Sequence, residues 1–271
     1  MTSTDPGDRS GATPDRSPHD RPGARSGGPP GARSAGSPGD APIGLLEGMA
    51  TARAVRRYRP DPIPDRDLAT ILWHATRAPS GSNRQPTRFV VLRDGPVARE
   101  AKALLGRAFR DAWAAKRAAD GYDRGSGADP GSPKARAARA MQAYVDRFEQ
   151  TPAVVLAAVR RWRAPDISEG GSVYPACQNL LLAARALGYG GVMSMWHRLV
   201  EDELRALIGV PDDVVLAAAI TVGVPEGRHG PVRRLPLREV VFEDRWGGEA
   251  TWAADPPGAL FSRAGPPGGE R

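Results

Sequence analysis

The sequence predicts an α+β fold, because its helical and strand-like segments mix without a regular strand–helix–strand alternation. Two apolar runs, residues 153–159 and 214–224, have the composition of buried strands. Several other segments place apolar residues at intervals of three and four, which is typical of amphipathic helices. No internal repeat is visible. Together these observations point to one mixed domain.

In the first half of the chain, four helices and one short strand are predicted. Asp65 is expected to cap the second helix, because aspartate accepts hydrogen bonds from the free N–H groups at a helix start. Pro79 and Gly81 end that helix and open a loop of small polar and amide residues. A stretch rich in Gly, Asp, Ser and Pro, residues 121–133, is predicted as an excursion between helices. The predicted helices cover residues 43–50, 66–77, 97–119 and 135–149, and the strand covers residues 89–92.

In the second half, the near-continuous apolar run over residues 153–159 predicts a strand that is covered on both faces. The most apolar helix is predicted over residues 172–187, as the central core or subunit-interface helix. Gly188, Gly190 and Gly191 are interpreted as a helix cap and a turn that bring the backbone close to a flat ligand. The remaining predicted elements are a strand over residues 214–224 and an arginine-bearing loop over residues 227–236.

Composition divides the 271 residues into three parts. Residues 1–42 contain no aromatic residue and no run of large aliphatic residues, so they cannot bury enough apolar surface to offset chain entropy. They are predicted to form a disordered tail rich in Gly, Pro, Ser and Arg. Residues 43–250 are predicted to form the ligand-binding domain, and residues 251–271 a flexible C-terminal extension.

The net charge of +7 lies in the predicted domain, because five arginines and five aspartates balance in residues 1–42. Two local arginine clusters in a folded domain favour an anionic ligand over a nucleic acid, which leaves a basic nucleic-acid-binding protein as the weaker alternative. No nucleic-acid partner is therefore expected. The clusters are Arg53, Arg56, Arg57 and Arg59, and then Arg228, Arg233, Arg234 and Arg238.

Other classes of site are disfavoured by composition. The single cysteine, Cys177, permits neither an internal disulfide nor a cysteine-based metal site, and the four histidines lack metal-ligand spacing. No metal is therefore expected. The chain also lacks the apolar stretches of a secretory signal or a membrane span. We expect a cytoplasmic protein without a membrane partner.

Two segments carry the chemistry that indicates a flavin. The arginine segment, residues 53–57, supplies guanidinium groups that can meet phosphate oxygens in pairs. The polar loop, residues 79–85, supplies Asn83 and Gln85, whose amides can both donate to and accept from the edge of a heterocycle. Such a combination suits a large planar cofactor that ends in a phosphate. Taken alone, each segment is also compatible with a solvated charge run or with an ordinary serine- or asparagine-stabilised turn.

Four segments of the chain resemble the nitroreductase family of FMN-dependent oxidoreductases, and they occur in the order typical of that family. The resemblance covers roughly residues 46–247. The segments are Arg53-Ala-Val-Arg-Arg-Tyr58 with Asp61-Pro-Ile-Pro64, Ala78-Pro-Ser-Gly-Ser-Asn-Arg-Gln-Pro86, Cys177-Gln-Asn-Leu-Leu-Leu-Ala-Ala184 with Leu187-Gly-Tyr-Gly190, and Gly223-Val-Pro225 ahead of Arg234-Leu-Pro-Leu237.

This resemblance implies a sandwich with a central, mostly antiparallel sheet flanked by helices. It also implies an obligate homodimer with two FMN sites at the subunit interface, each built from both chains. The family pattern assigns Arg53, Arg56 and Arg234 to the phosphate; Pro79, Ser80, Asn83 and Gln85 to the isoalloxazine and ribityl chain; and Met193, Ser194 and Met195 to the flavin ring. Ala54 also belongs to the cofactor-binding set, although the family often has serine there. Further departures from the pattern are Ala52, where an arginine is frequent, and Thr87, where a tryptophan is frequent.

The activity implied by the resemblance is transfer of hydride from NADH or NADPH, through FMN N5, to an electron-poor acceptor such as a nitroaromatic or a quinone. The reaction would follow a ping-pong scheme, since donor and acceptor use the same face of the flavin in turn. The chemistry belongs to FMN, so no catalytic side chain is predicted. The alternative is a flavin-binding or flavin-sequestering protein on the same fold with little turnover.

Overall fold

A computed structural model describes residues 43–227 and 232–261 of the chain. Within them lie six α-helices and four β-strands, joined by turns and short 3₁₀ helices. The elements in chain order are α1 (Leu45–Thr51), α2 (Asp65–Ala75), β1 (Thr87–Leu92), α3 (Pro96–Ala119), α4 (Pro133–Asp146), β2 (Ala153–Arg160), α5 (Gly170–Ala186), β3 (Gly190–Ser194), α6 (Glu201–Ile208) and β4 (Val214–Gly223).

The four strands form one sheet in the order β1-β2-β4-β3. Every neighbouring pair among them is antiparallel. The central pair, β2 and β4, runs from Ala153 opposite Val222 to Arg160 opposite Val214, with a bulge between Ala157 and Ala158. The predicted α+β class with an antiparallel sheet is therefore confirmed.

Helices cover both faces of the sheet, and β2 shows why its sequence is apolar throughout. Val154 and Leu156 point into a core that also contains Phe109, Trp113 and Phe148 from the α3 and α4 side. The alternate residues of β2 point into a second core beneath α2 and α5, with Ile71, Leu180 and Ile220. Because successive strand residues face opposite sides, a strand between two helical layers needs apolar residues at every position.

The structure corrects the prediction at the start of α2. Asp65 is the first residue of the helix, and Pro64 occupies the cap position without a side-chain hydrogen bond. The Asp65 carboxylate instead accepts from Arg93 Nη1 at 2.5 Å. The Asp65 side chain, which the local sequence predicted as a helix cap, therefore pairs with Arg93 from another part of the fold.

A second correction concerns the glycines after α5. Gly188 does follow the helix with a left-handed φ of 85°, but Gly190 and Gly191 belong to strand β3 and pair with Gly223 and Val222 of β4. Glycine has little strand propensity, so only pairing with β4 reveals this strand. Helix α6 was likewise not predicted.

The predicted tail, residues 1–42, lies outside the described residues, as do residues 262–271 of the predicted extension. The described part of that extension contacts the segment before it: Asp255 Oδ1 accepts from the Leu237 N–H at 3.1 Å, and Trp252 Nε1 donates to Glu243 at 3.1 Å. Within residues 43–227 and 232–261, none of the helices has the length and apolarity that a bilayer crossing requires.

Candidate flavin site

A cavity of about 900 Å³ lies where the arginine segment, α5, the start of β3 and the end of β4 meet. We call it the main cavity. Its wall includes five of the predicted site residues, which come from three distant parts of the chain: Arg53, Ala54, Arg56, Met193 and Arg234. Residues 53 and 234 are separated by about 180 positions in the sequence, and the fold brings them to one site.

Backbone hydrogen bonds hold the arginine segment at the sheet. The Val55 N–H donates to the Gly191 carbonyl at 3.0 Å, and the Arg59 N–H donates to the Val224 carbonyl at 2.9 Å. On the other side, the Glu226 N–H donates to the Arg57 carbonyl at 3.0 Å. The segment therefore lies against β3 and the chain that leaves β4, which fixes the backbone of its arginines.

Two glycines of β3 allow close packing around this contact. A Cβ on Gly190 would lie 2.6 Å from Val55 Cγ2. A Cβ on Gly191 would lie 2.7 Å from the Thr221 carbonyl oxygen. Both positions are buried, so no side chain fits there without a shift of its neighbours.

Beneath the arginine segment, three hydroxyl groups form a chain of hydrogen bonds. Tyr144 Oη lies 3.2 Å from Thr221 Oγ1, Thr221 Oγ1 lies 2.8 Å from Tyr58 Oη, and the Tyr58 hydroxyl donates to the Val55 carbonyl. Burial raises the pKa of Tyr58 well above its usual value and raises the pKa of Tyr144 to about 12. Both phenols therefore stay protonated near neutral pH and act as hydrogen-bonding groups.

The electrostatics of the main cavity favour an anion. Four arginines line it, namely Arg53, Arg56, Arg185 and Arg234, and no aspartate or glutamate does so among the described residues. Arg234 is positioned by a bridge to the end of the described chain, where its N–H donates to the Leu260 carbonyl at 3.2 Å. A phosphate monoester carries close to two negative charges at neutral pH and suits several guanidinium forks at once.

The polar loop has an unusual backbone. The backbone φ angles of Ser82, Asn83 and Gln85 are 50°, 51° and 52°. These values lie in the left-handed region that residues other than glycine rarely adopt. Ser80 stabilises this conformation, since its Oγ accepts from the Gln85 N–H at 2.9 Å. A second contact joins the loop to α5, where the Gly81 N–H donates to Ser172 Oγ at 3.3 Å. Such local strain is common at ligand-binding sites.

Not every predicted site residue reaches the main cavity. Pro79, Ser80, Asn83 and Gln85 do not line it, and Pro79, Asn83 and Gln85 are exposed at the surface of the single chain. Ser194 and Met195 also lie outside its wall. They follow Met193 where β3 ends and the chain turns, and Ser194 Oγ accepts from the Trp196 N–H at 3.2 Å.

One wall of the main cavity, the outer face of α5, was not predicted from the sequence. Gln178, Leu181 and Arg185 line the cavity from this helix, and Arg185 Nη2 donates to Thr51 Oγ1 at 3.3 Å. Their spacing of three and four residues places them on one helical face. Two polar residues on the most apolar helix of the chain were the available signal.

The sequence of this chain matches a known protein family. The family model described as the nitroreductase family matches residues 49–224, which contain the arginine segment, the polar loop, α5 and the whole sheet. The chain belongs to the nitroreductase family. The prediction that the protein is an oxidoreductase enzyme of this family is thereby confirmed.

Two relatives of this nitroreductase-family chain cover most of its length. An NADH dehydrogenase of Thermus thermophilus is 32% identical over 216 residues, which are 75% of this chain and 98% of the relative. A protein of Archaeoglobus fulgidus, provisionally named NADH dehydrogenase/NAD(P)H nitroreductase, is 29% identical over 186 residues, which are 67% of this chain and 85% of the relative.

A solved structure shares the fold. The crystal structure of a provisionally named nitroreductase from Desulfovibrio desulfuricans, in complex with FMN, matches with a TM-score of 0.55 and 24% identity. The match covers 75% of this chain and 98% of the other. The nitroreductase-like fold predicted from the sequence is therefore confirmed, whereas the homodimer and the residue assignments stay predictions.

Proposed function

We propose that this protein is an FMN-dependent oxidoreductase that transfers hydride from NADH or NADPH to an electron-poor acceptor such as a nitroaromatic or a quinone. The observation that carries the proposal is the convergence of Arg53, Arg56 and Arg234 on one cavity that no carboxylate of the described residues lines. The names of its relatives support the nicotinamide donor, and the FMN complex of a protein with the same fold supports the cofactor.

The residues present fit FMN. In the proposed arrangement Arg53, Arg56 and Arg234 bind the phosphate, while Ala54 and Met193 contact the remainder of the cofactor. Gly190 lets the arginine segment approach β3 closely enough for these groups to face one ligand. When bound, FMN supplies hydride transfer at N5, so the side chains are needed to bind and orient it and to keep the nicotinamide close.

We propose further that the site is completed in a homodimer by the polar loop of a second copy. The loop is exposed and does not line the main cavity of its own chain, although its amides suit the edge of the flavin ring. Large apolar side chains on α1 are also exposed, with Leu45 at 68% and Leu46 at 80%. An apolar helix surface next to the cavity is consistent with a subunit contact there.

The test is an anaerobic spectral titration of the purified protein reconstituted with FMN. Addition of NADPH or NADH should bleach the visible absorbance of the bound flavin, and a nitroaromatic or quinone should restore it. A matched sample of free FMN shows how much of the reduction requires the protein. A tightly bound flavin that neither donor bleaches would support the alternative, a flavin-sequestering protein. A protein that binds no flavin would overturn the proposal.

A further inference from the structure

A second cavity lies beside the polar loop, apart from the main cavity. It has a volume of about 370 Å³ and lies between the loop and the facing ends of β1 and β2. Its lining includes the side chains of Arg84, Gln85, Arg88, Arg160, Arg161 and Trp162. Because Gln85 belongs to the loop that we propose completes the flavin site of a second copy, this cavity would adjoin that copy's flavin site in the homodimer.

Two of its four arginines have their charge balanced by carboxylates. Arg160 Nε lies 2.7 Å from Asp213 Oδ2, and Arg161 Nη2 lies 2.9 Å from Glu169 Oε2. These pairs shape the wall of the cavity and add little net charge.

The other two arginines have no carboxylate partner among residues 43–227 and 232–261. Arg88 Nη1 donates to the carbonyl oxygens of Gln85 and Thr87, each at 2.9 Å. Arg84 Cζ lies 5.0 Å from the centroid of the Trp162 ring. The second cavity therefore carries about two uncompensated positive charges beside the polar loop.

The indole of Trp162 orients one of these charges. A guanidinium stacked on an aromatic ring uses its flat face for the contact, so its in-plane N–H groups remain available to an anion. Trp162 is 49% exposed, and a second arginine, Arg163, lies 5.5 Å from the same ring. Arg163 differs from Arg84 because it does not line the cavity and lies 3.6 Å from Asp166.

From these observations we propose that the second cavity binds the 2′-phosphate of NADPH, and that the enzyme consequently prefers NADPH to NADH. This inference rests on the proposed function. The 2′-phosphate is a monoester with close to two negative charges, which matches the two arginines that lack a carboxylate. NADH has a hydroxyl group at that position and gains nothing from them, whereas the diphosphate is common to both donors.

The test compares the variant Arg84→Gln with the matched control Arg163→Gln, both in the FMN-loaded enzyme. Loss of a charge-assisted contact to phosphate should lower kcat/KM for NADPH by about tenfold and that for NADH by less than about twofold. Arg163→Gln should change neither value by more than about twofold, because its guanidinium stacks on the same ring without facing the cavity. Addition of Arg88→Gln to Arg84→Gln should deepen the loss for NADPH.

Anaerobic stopped-flow measurement separates the two half-reactions and locates the effect. Slower flavin reduction by NADPH, with unchanged reoxidation by the acceptor, supports the inference. An equal loss with NADH, no loss at all, or a loss confined to reoxidation overturns it, and the last result would assign the cavity to an anionic acceptor.

A binding measurement without turnover distinguishes this inference from the proposed function. Adenosine 2′,5′-bisphosphate should bind the wild-type protein at least about tenfold more tightly than 5′-AMP, Arg84→Gln should reduce the difference, and Arg84→Gln combined with Arg88→Gln should abolish it. If neither nicotinamide reduces the flavin but this difference is present, the proposed function fails and the phosphate site stands. If flavin is reduced and the two nucleotides bind alike, the phosphate site fails and the proposed function stands.

Discussion

The hydroxyl groups of Tyr58 and Thr221 lie 2.8 Å apart in the buried layer beneath the arginine segment. Through this contact, the backbone of residues 55–58 is connected to the central strand β4 and, by Tyr144, to helix α4. The Tyr58 hydroxyl also donates to the Val55 carbonyl, next to Arg56. The network therefore holds the proposed phosphate-binding backbone in place from below.

Replacement of Tyr58 by phenylalanine should weaken both stability and FMN binding. The free energy of unfolding should fall by about 1 kcal/mol, the usual net value of a buried hydrogen bond, and the FMN dissociation constant should rise by several-fold. Urea denaturation and quenching of FMN fluorescence provide the two measurements. Tyr144→Phe is the matched control, because it also loses a bond to Thr221 but none to the arginine segment. Equal loss of FMN affinity in both variants would contradict a specific positioning role for Tyr58.

Substitution of Gly190 by alanine should disturb the same segment from the other side. The new Cβ would lie 2.6 Å from Val55 Cγ2 and 2.8 Å from Val55 Cβ, so the backbone has to move. We expect a loss of stability of about 1 to 3 kcal/mol, as for other insertions into packed sites, together with weaker FMN binding.

A matched glycine tests whether this effect is local. Gly171 in α5 has no atom within 4 Å of an added Cβ, and alanine is favoured over glycine in helices. Gly171→Ala should therefore leave the melting temperature unchanged or raise it, when both variants are compared with the parent by differential scanning calorimetry. If Gly190→Ala is as stable as the parent, the close approach of the arginine segment to β3 is not tight.

Much of the fold could be predicted because its signals are local. The apolar spacing in α3 and the unbroken apolar run in β2 depend only on which faces are buried. Strand β3 could not be found in this way, since Gly190 and Gly191 become a strand only by pairing with β4. Asp67 gave no signal either, although it is buried and accepts from the Tyr189 hydroxyl at 2.6 Å.

The candidate site was predictable only in part, for a related reason. Arginines in a short cluster are visible in the sequence, and Arg234 could be linked to them through the family pattern. Arg185 lies on an apolar helix where a single charge resembles an ordinary surface residue. The position of the polar loop outside the main cavity depends on tertiary structure, and its proposed role depends on a second chain.

Neighbouring arginines allow a test of the proposed phosphate contacts. Arg56 lines the main cavity and Arg57 does not, so Arg56→Gln should weaken FMN binding by about 10- to 100-fold, as expected for charge-assisted hydrogen bonds, whereas Arg57→Gln should change it by less than about twofold. By the same reasoning, Arg234→Gln should weaken FMN binding and Arg233→Gln should leave it nearly unchanged, because Arg234 lines the main cavity and Arg233 does not.

Riboflavin supplies the ligand control for this comparison, because it lacks the phosphate. Its dissociation constant, measured by the same fluorescence titration, should be similar for the parent and for Arg56→Gln. If the substitution weakens riboflavin and FMN equally, Arg56 does not bind the phosphate and the assignment is wrong.

Stability should depend on pH through His197, a fully buried residue whose Nε2 lies 3.2 Å from the Leu216 carbonyl oxygen. Burial lowers the pKa of His197 below its ordinary value of 6.5, an effect larger than the opposing influences of this hydrogen bond and of Glu201. The unfolded chain therefore takes up a proton near pH 6.5 that the folded chain resists. As the pH falls from 6.5 towards the lower folded pKa, the free energy of unfolding should decrease by up to about 1.4 kcal/mol per pH unit.

The variant His197→Gln retains an N–H donor and does not titrate, so it should remove this part of the pH dependence. The measurement is a series of urea denaturation curves between pH 7.5 and about pH 5, which spans the ordinary histidine pKa. His74→Gln is the matched control, because His74 is exposed on α2. A slope that survives His197→Gln would mean that other groups account for it.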